Sequence, residues 1–321
     1  MRRWPSTGEG YQGHAQRVAK SIVVKWVRPP DERTLARDPA ALRSHRRKLR
    51  SYAVEAAFYT RHSRRCDQTC RVPQAYVIEN GERDWLFVLE NLDAAGYAAR
   101  RTHASGADIR DALSWLAGFH ARFLGVEPEG VWKRGSYWHL ETRQDEWRAL
   151  TDARVKEAAS KIDERLARAR FKTLIHGDAK LENFCFATGG VRPVQDGDSA
   201  ARIAAVDFQY VGGGVGVQDV AYLLSSCLEG RELEAQAEQW LEFYLGELCR
   251  SAGQLRSTVG PLFSRAPVDE AALSEAVEEW RALYPFAVAD FQRFLLGWAP
   301  SHARDSYLIE VTERVLAAVQ R

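Results

Sequence analysis

The chain has cysteines in the wrong number and arrangement for a disulfide scaffold. Its 5 cysteines (Cys66, Cys70, Cys185, Cys227 and Cys249) form an odd set without paired spacing, as expected of reduced thiols in a cytoplasm. Long apolar runs are lacking as well. None approaches the roughly 18 residues that a membrane helix requires, and the opening MRRWPSTGEG has no apolar stretch like that of a secretory leader. A net charge of only +2 removes any global case for nucleic acid or a membrane surface as partner. No internal repeat or low-complexity segment is visible. The expectation is a soluble, cytoplasmic protein, 45% hydrophobic over 321 residues, long enough for two lobes or one large domain.

Charge is placed unevenly along this neutral whole. Arg28 to Arg71 holds 12 Lys and Arg against 5 Asp and Glu, which reads either as a solvated helical face or as attraction for nucleotide or another anionic partner. Just before it, Lys25 lies inside the apolar strand SIVVKWV, where a charge is costly unless it has a partner or its head reaches water. Glu55 is the candidate partner, as the only acidic residue between Asp38 and Asp67, in a helical stretch from Ala40 to His62. Pro29 and Pro30 end the strand. His62, Cys66 and Cys70 recur every four residues and would share a helix face, a conceivable metal site without an evident fourth ligand.

Gly8, Gly10 and Gly13 spell G-x-G-x-x-G, but only seven residues precede them. A dinucleotide fold needs a strand before the glycines and a helix after. Here the next residues, Ala15 to Val27, are rich in β-branched side chains and end in a strand. That order suits a glycine loop folding over phosphates, with Gly10 and Gly13 at the ligand.

Further along, Ala75 to Ile78 and Trp85 to Leu89 read as strands around the turn Glu79 to Asp84. The polar connector Glu90-Asn91-Leu92-Asp93 comes next. Beyond it the pattern is helical: Ile109, Leu113, Leu116, Phe119 and Phe123 keep a 3.6-residue period until Gly125 and Pro128. Longer helices are expected over Glu141 to Arg170, Val217 to Cys249, Glu270 to Arg281 and Ser306 to Val319. Most of the clustered aromatics between them belong in the core. The group from Trp132 to Trp147, broken by Gly135 and Ser136, is the preferred wall for a substrate pocket.

The rest of the chain is organised around TLIHGDAKLENFCF, Thr173 to Phe186, followed by AAVDFQ at Ala204 to Gln209. Apolar runs flank a loop carrying Asp178, Lys180 and Asn183, and Asp207 ends another run. Phosphoryl transfer needs positioned charge more than covalent chemistry. Asp178 suits the orientation and deprotonation of an attacking hydroxyl. Asn183 and Asp207 supply the oxygen ligands that a hard cation prefers, and Lys180 can offset charge on the transferring group. The bland alternative is a hairpin whose Asp and Asn shape the turn. His176 reads as structural, a hydrogen-bonded ring bracing the loop.

These residues resemble the catalytic loop of the protein-kinase-like superfamily, H-x-D-x-x-x-x-N, with V-D-F-Q where protein kinases carry D-F-G. The ordered set of Lys25, Glu55, HGDAKLEN and VDFQ resembles the aminoglycoside phosphotransferase and choline kinase branch. VLENLDAAGY, HGDAKLENF and VDFQYVGGGVGVQDVAYLL are most similar to the ecdysteroid kinase-like family and its bacterial relatives. The resemblance spans about Gly8 to Trp298. It implies an α+β bilobal fold, with a nucleotide-binding lobe over 1–91 and a catalytic, substrate-binding lobe over 92–321. It also implies ATP and Mg²⁺ as cofactors, Lys25 on the phosphates with Glu55 aiming it, and a connector whose Glu90 and Leu92 backbone meets adenine. Asp219 would be the buried aspartate that holds the catalytic loop.

Gln209 replaces the glycine of D-F-G and no A-P-E segment comes after it, which points away from protein substrates and from an activation-loop switch. The expected activity is therefore transfer of the ATP γ-phosphoryl group to the hydroxyl of a small molecule. A nucleotide-binding pseudokinase and a nucleotidyl transferase of the same fold remain as alternatives.

Overall fold

The computed structural model describes residues 21–32, 38–81, 84–188, 202–258 and 269–319. The β-rich end is an antiparallel sheet in the order β1–β3–β2, built from β1 (Ile22–Val27), β2 (Ala75–Asn80) and β3 (Trp85–Glu90). β-branched and aromatic side chains favour this pleated, half-buried setting. In the central strand, β3, Trp85, Phe87 and Leu89 point into the core between less buried neighbours, the period-two alternation of a sheet with one covered face. The register sets Lys25 opposite Phe87.

Helix α1 (Pro39–Ala57) packs on this sheet. Its start is written locally: the Asp38 carboxylate accepts from the Ala40 and Ala41 N–H groups at 2.9 and 3.1 Å, and Pro39 occupies the first turn, where a missing N–H costs nothing. The helix runs on through a wider turn, Phe58–His62.

The larger part is mostly helical. It contains α2 (Gly106–Phe123), α3 (Gln144–Ala149), α4 (Ala153–Ala167), α5 (Val217–Cys227), α6 (Gly230–Thr258), α7 (Glu270–Trp298) and α8 (Ser306–Val319). Four short strands lie among them: β4 (Thr173–Ile175) pairs with β7 (Gly212–Gly214), and β5 (Phe184–Phe186) with β6 (Ile203–Ala205), both antiparallel. The protein is thus α+β, a small sheet-bearing lobe beside a larger helical one. Aromatic rings join the two: Phe58 stacks on Phe208 with centroids 3.9 Å apart, and Phe208 leads to His176, Phe119 and Trp115 in the core.

Three helix expectations need correction. The stretch from Glu141 to Arg170 is not one helix, because Asp152 caps a fresh start, accepting from the Arg154 and Val155 N–H groups. Val217 to Cys249 is also two helices, divided where Gly230 adopts φ +53° and donates to Asp305. Conversely, the helix beginning at Glu270 continues past Arg281 and through Pro285 to Trp298. Burial of Ala287, Val288, Phe291 and Phe294 beyond the proline outweighs the lost hydrogen bond. Among the described residues, no helix is long and apolar enough to cross a membrane.

Helix α2 lies close to the turn at Thr69, and a Cβ on Gly118 would come 2.7 Å from the Thr69 carbonyl oxygen. Gly118→Ala is therefore expected to lower unfolding free energy in urea by about 1–3 kcal/mol, despite alanine's better helix propensity. An unchanged or stabilised variant would mean that this contact does not limit the packing.

Candidate active site

Lys25 sits in the middle of β1, and its ammonium lies 2.6 Å from the Glu55 carboxylate on α1. The Glu55 side chain is only 4% exposed, so the lysine, itself about one-third exposed, is paired with a buried carboxylate. Burial pushes the Glu55 carboxyl above its usual range, the Lys25 charge pulls it back, and the Asp207 charge adds to the rise.

The loop after β4 hangs from one buried carboxylate. Asp219, fully buried near the start of α5, accepts from the His176 N–H at 2.6 Å and the Gly177 N–H at 2.9 Å, and its Oδ2 lies 3.1 Å from His120 Nε2. The His176 ring turns the other way, with Nε2 donating to the Val206 carbonyl at 3.0 Å and Nδ1 accepting from the Asp178 N–H. Burial holds this imidazole below its ordinary pKa, so it stays neutral and braces the loop. Gly177 has φ +78°, and a Cβ there would meet the Ser136 nitrogen at 2.7 Å. Only glycine fits both demands.

Asp178 emerges from this brace almost buried, at 7% exposure. Asn183 Nδ2 donates to its carboxylate at 2.9 Å and to its carbonyl at 2.7 Å. The Tyr222 hydroxyl stands beside the carboxylate and favours its ionised form. Burial dominates and pushes the carboxyl up to about 7, with Lys180 opposing and Asp207 reinforcing the rise. Lys180 itself stands at the start of the turn Leu181–Asn183, whose Leu181 N–H is held by Ser226.

Asp207 comes after β6 in the left-handed region, φ 66° and ψ 66°. Its Oδ1 is buried and has no hydrogen-bond partner, a costly state for an anionic oxygen. With the Asn183 amide oxygen nearby in the loop, this orphaned oxygen fits a hard divalent cation, which takes one or two protein oxygens and completes its shell with phosphates and water. Asp207 is also the common neighbour of the two halves, since its charge raises both Glu55 and Asp178. Lys25, Glu55, Asp207, Asn183, Asp178 and Lys180 thus form one electrostatic unit.

The connector is accounted for differently. Glu90 accepts from Arg71 at 2.6 and 2.7 Å and from the Gln74 N–H, while its own N–H donates to Gln74. The Leu92 carbonyl accepts from Ala95 and Tyr97. These bonds stiffen the connector itself. Gly10 and Gly13 lie outside the described residues. The His62, Cys66 and Cys70 face is no metal cluster: His62 Nε2 lies 2.9 Å from the Glu129 carbonyl, and no group of three or more His, Cys, Asp or Glu that could hold a metal occurs among the described residues.

The expected tryptophan wall divides. The Trp132 and Tyr137 N–H groups donate to Val211 and Gly177, so this segment buttresses the loop after β4, with Ser136 in the left-handed region at φ 93°. Trp138 is fully buried against Tyr222 and Phe291. Trp147 packs elsewhere, among Leu150, Val155 and Ile162. Tyr222 was not anticipated as a site residue. In DVAYLL it stands three positions after Asp219, hence on the same helix face, and that spacing was the available signal.

A β-sheet lobe carrying a lysine–glutamate pair thus stands beside an Asp–Asn–Asp constellation on a helical lobe. Residues 134–257 match the model of the ecdysteroid kinase-like family. The chain is similar to a solved amicoumacin kinase in complex with AMP-PNP, Ca²⁺ and "Ami": 12% identity, covering 93% of this chain and 82% of that one, TM-score 0.47. It is similar to a microcompartment-associated aminopropanol kinase at 15% identity, covering 94% and 86%, TM-score 0.45. A choline/ethanolamine kinase family protein from Mesorhizobium loti gives 17% identity, 85% and 84% coverage and a TM-score of 0.41. No curated protein matches the chain.

The raised Asp178 pKa carries a signed prediction for protein in EDTA. Above about pH 7 the buried carboxylate is ionised and costs stability, whereas the unfolded chain ionises freely from about pH 4. As pH falls from 7 towards 4 the folded form takes up its proton first and the cost disappears. Asp178→Asn should therefore melt higher than wild type at pH 8, by an amount on the order of a few kcal/mol, and the difference should shrink towards pH 4.5. A pH-independent difference would count against the burial of this charge.

Proposed function

We propose that the protein is an ATP-dependent small-molecule kinase that transfers the γ-phosphoryl group to an alcohol hydroxyl, with nucleotide held between the lobes 1–91 and 92–321. The observation that carries this reading is the position of Asp207: a buried, partnerless carboxylate oxygen within electrostatic reach of both the Lys25–Glu55 pair and the Asp178 loop.

In this reading Lys25 binds the nucleotide phosphates and Glu55 aims it. Gly10 and Gly13 close over the phosphates, and the Glu90 to Leu92 backbone receives adenine. Asn183 and Asp207 would hold Mg²⁺, which neutralises phosphate charge when bound. The Asp178 carboxylate accepts the hydroxyl proton of the acceptor as the oxygen attacks phosphorus, with Asn183 and Tyr222 fixing the carboxylate's orientation. Lys180 offsets charge on the phosphoryl oxygens. The transferred group leaves ADP, and the product carries a phosphate ester.

The acceptor is read as a small alcohol and not as a polycation. Around Tyr210, whose hydroxyl burial raises to about 12, the charges that act on it most are Arg143 and Arg47, with Asp178 opposing them. Aromatic rings of Tyr137, Phe294 and Trp298 continue outward from there.

Mg-dependent ADP release measured across a panel of hydroxylated compounds tests the reading. Asp178→Asn should lower turnover by about 100-fold or more, as loss of a general base does, while ATP affinity stays near wild type. Asp207→Ala should abolish the thermal shift produced by Mg-ATP, and a normal shift would remove Asp207 from the metal role. Product mass separates the alternatives: one added phosphoryl group supports the kinase, an added AMP indicates nucleotidyl transfer, and binding without product indicates a pseudokinase.

A further inference from the structure

Gln209 occupies the place where the resembling kinases carry glycine, two residues after the left-handed Asp207. Its side chain is not a passive filler. The residue is 6% exposed, and its Oε1 accepts from Lys48 Nζ at 2.8 Å and from Ser51 Oγ at 3.1 Å, both on α1. Its main-chain carbonyl accepts from Trp132 Nε1 at 2.8 Å. The residue between, Phe208, stacks on Phe58 at the end of the same helix.

Lys48, Ser51 and Glu55 succeed one another at intervals of three and four, so they share one face of α1. One end of that face holds Glu55 against Lys25, and the other grips the turn that carries Asp207. The Lys48 ammonium has a neutral acceptor here, which makes its bond to Gln209 charge-assisted. The Asp207 side chain does not cap the turn it opens, so on the C-terminal side its left-handed backbone is held by the anchoring of Phe208 and Gln209, as Val206 is held on the other side by Asn183 and His176.

Resting on the kinase reading for its functional half, we propose that Gln209 is a positioning residue: a latch that locks the Asp207 turn to α1. The Lys25–Glu55 pair and the metal-facing carboxylate are thereby set by one rigid helix. Gln209 touches neither nucleotide nor acceptor and acts through the placement of Asp207. The bond it makes replaces the freedom that a glycine would give the turn, so the turn has one state and not two.

The latch is tested first without any assay of activity. In a Lys48→Met/Ser51→Ala double variant, altered only on α1, amide exchange at 208–210 should accelerate about tenfold, the loss of one charge-assisted hydrogen bond. Unchanged exchange there would overturn the proposal. Calorimetric binding of ATP with and without Mg²⁺ then reads the consequence. Gln209→Leu should weaken Mg-ATP about tenfold and Mg-free ATP less than about twofold, a split that a general loss of packing does not produce. Gln209→Glu keeps an acceptor for both Lys48 and Ser51 and should stay within about threefold of wild type. Equal losses with and without Mg²⁺, or no rescue by glutamate, would also overturn it. If wild-type protein fails to bind Mg-ATP, the kinase reading falls, and the exchange experiment alone decides the latch.

Discussion

Everything at the centre of this molecule depends on the hydrogen bonds received by one buried carboxylate. Asp219 takes two consecutive backbone N–H groups, from His176 and Gly177, and faces the His120 ring. A carboxyl group with no exposure is tolerated only when its oxygens find donors in this way. The consequence reaches outward in steps. With the backbone fixed at Gly177, His176 can turn its ring to Val206 just before Asp207. One buried aspartate therefore helps set the separation of Asp178 and Asp207, although it touches neither of them.

The charges around that scaffold are arranged so that each is incomplete alone. Glu55 is buried beside a lysine and still has its pKa raised. Asp178 is held near neutrality by burial while a lysine and an amide draw it back. Asp207 has an oxygen with no donor at all. A site of this kind is destabilised in isolation and relieved by a ligand that brings positive charge to the carboxylates and negative charge to the lysines. A divalent cation bound to polyphosphate does both.

Much of this was legible from the chain, and the reasons differ from element to element. The strand pair around Glu79 to Asp84, the amphipathic run from Ile109 to Phe123 and the HGD loop are specified by local pattern. So was the Lys25–Glu55 pair, because a lone lysine in an apolar strand and a lone glutamate in a basic helix leave each other few choices. Breaks inside long polar helices were not legible: Asp152 and Gly230 act through a cap and a backbone angle, which periodicity alone does not register. The extension through Pro285 was missed because burial overrode local propensity. Trp138 and Trp147, close in sequence, face different clusters for the same reason. Gln209 was visible as a departure from glycine, yet its partners lie more than 150 residues away, and no spacing rule reaches that far.

The joint between the lobes has a mechanical corollary. Helix α1 is joined to the large lobe through a face-to-face ring contact, Phe58 on Phe208, and to the sheet through Tyr52 against Trp85 as well as through the Lys25–Glu55 ion pair, whose lysine is about one-third exposed. Stacked rings in a dry core part reluctantly, while a half-wet ion pair parts readily and is weakened by salt. Helix α1 and the turn after it, whose Tyr52 and Tyr59 rings meet Trp85 and Phe87 of β3 as Phe58 meets Phe208, therefore tie the sheet to the helical lobe through one continuous packed core, with the ion pair as its salt-sensitive margin.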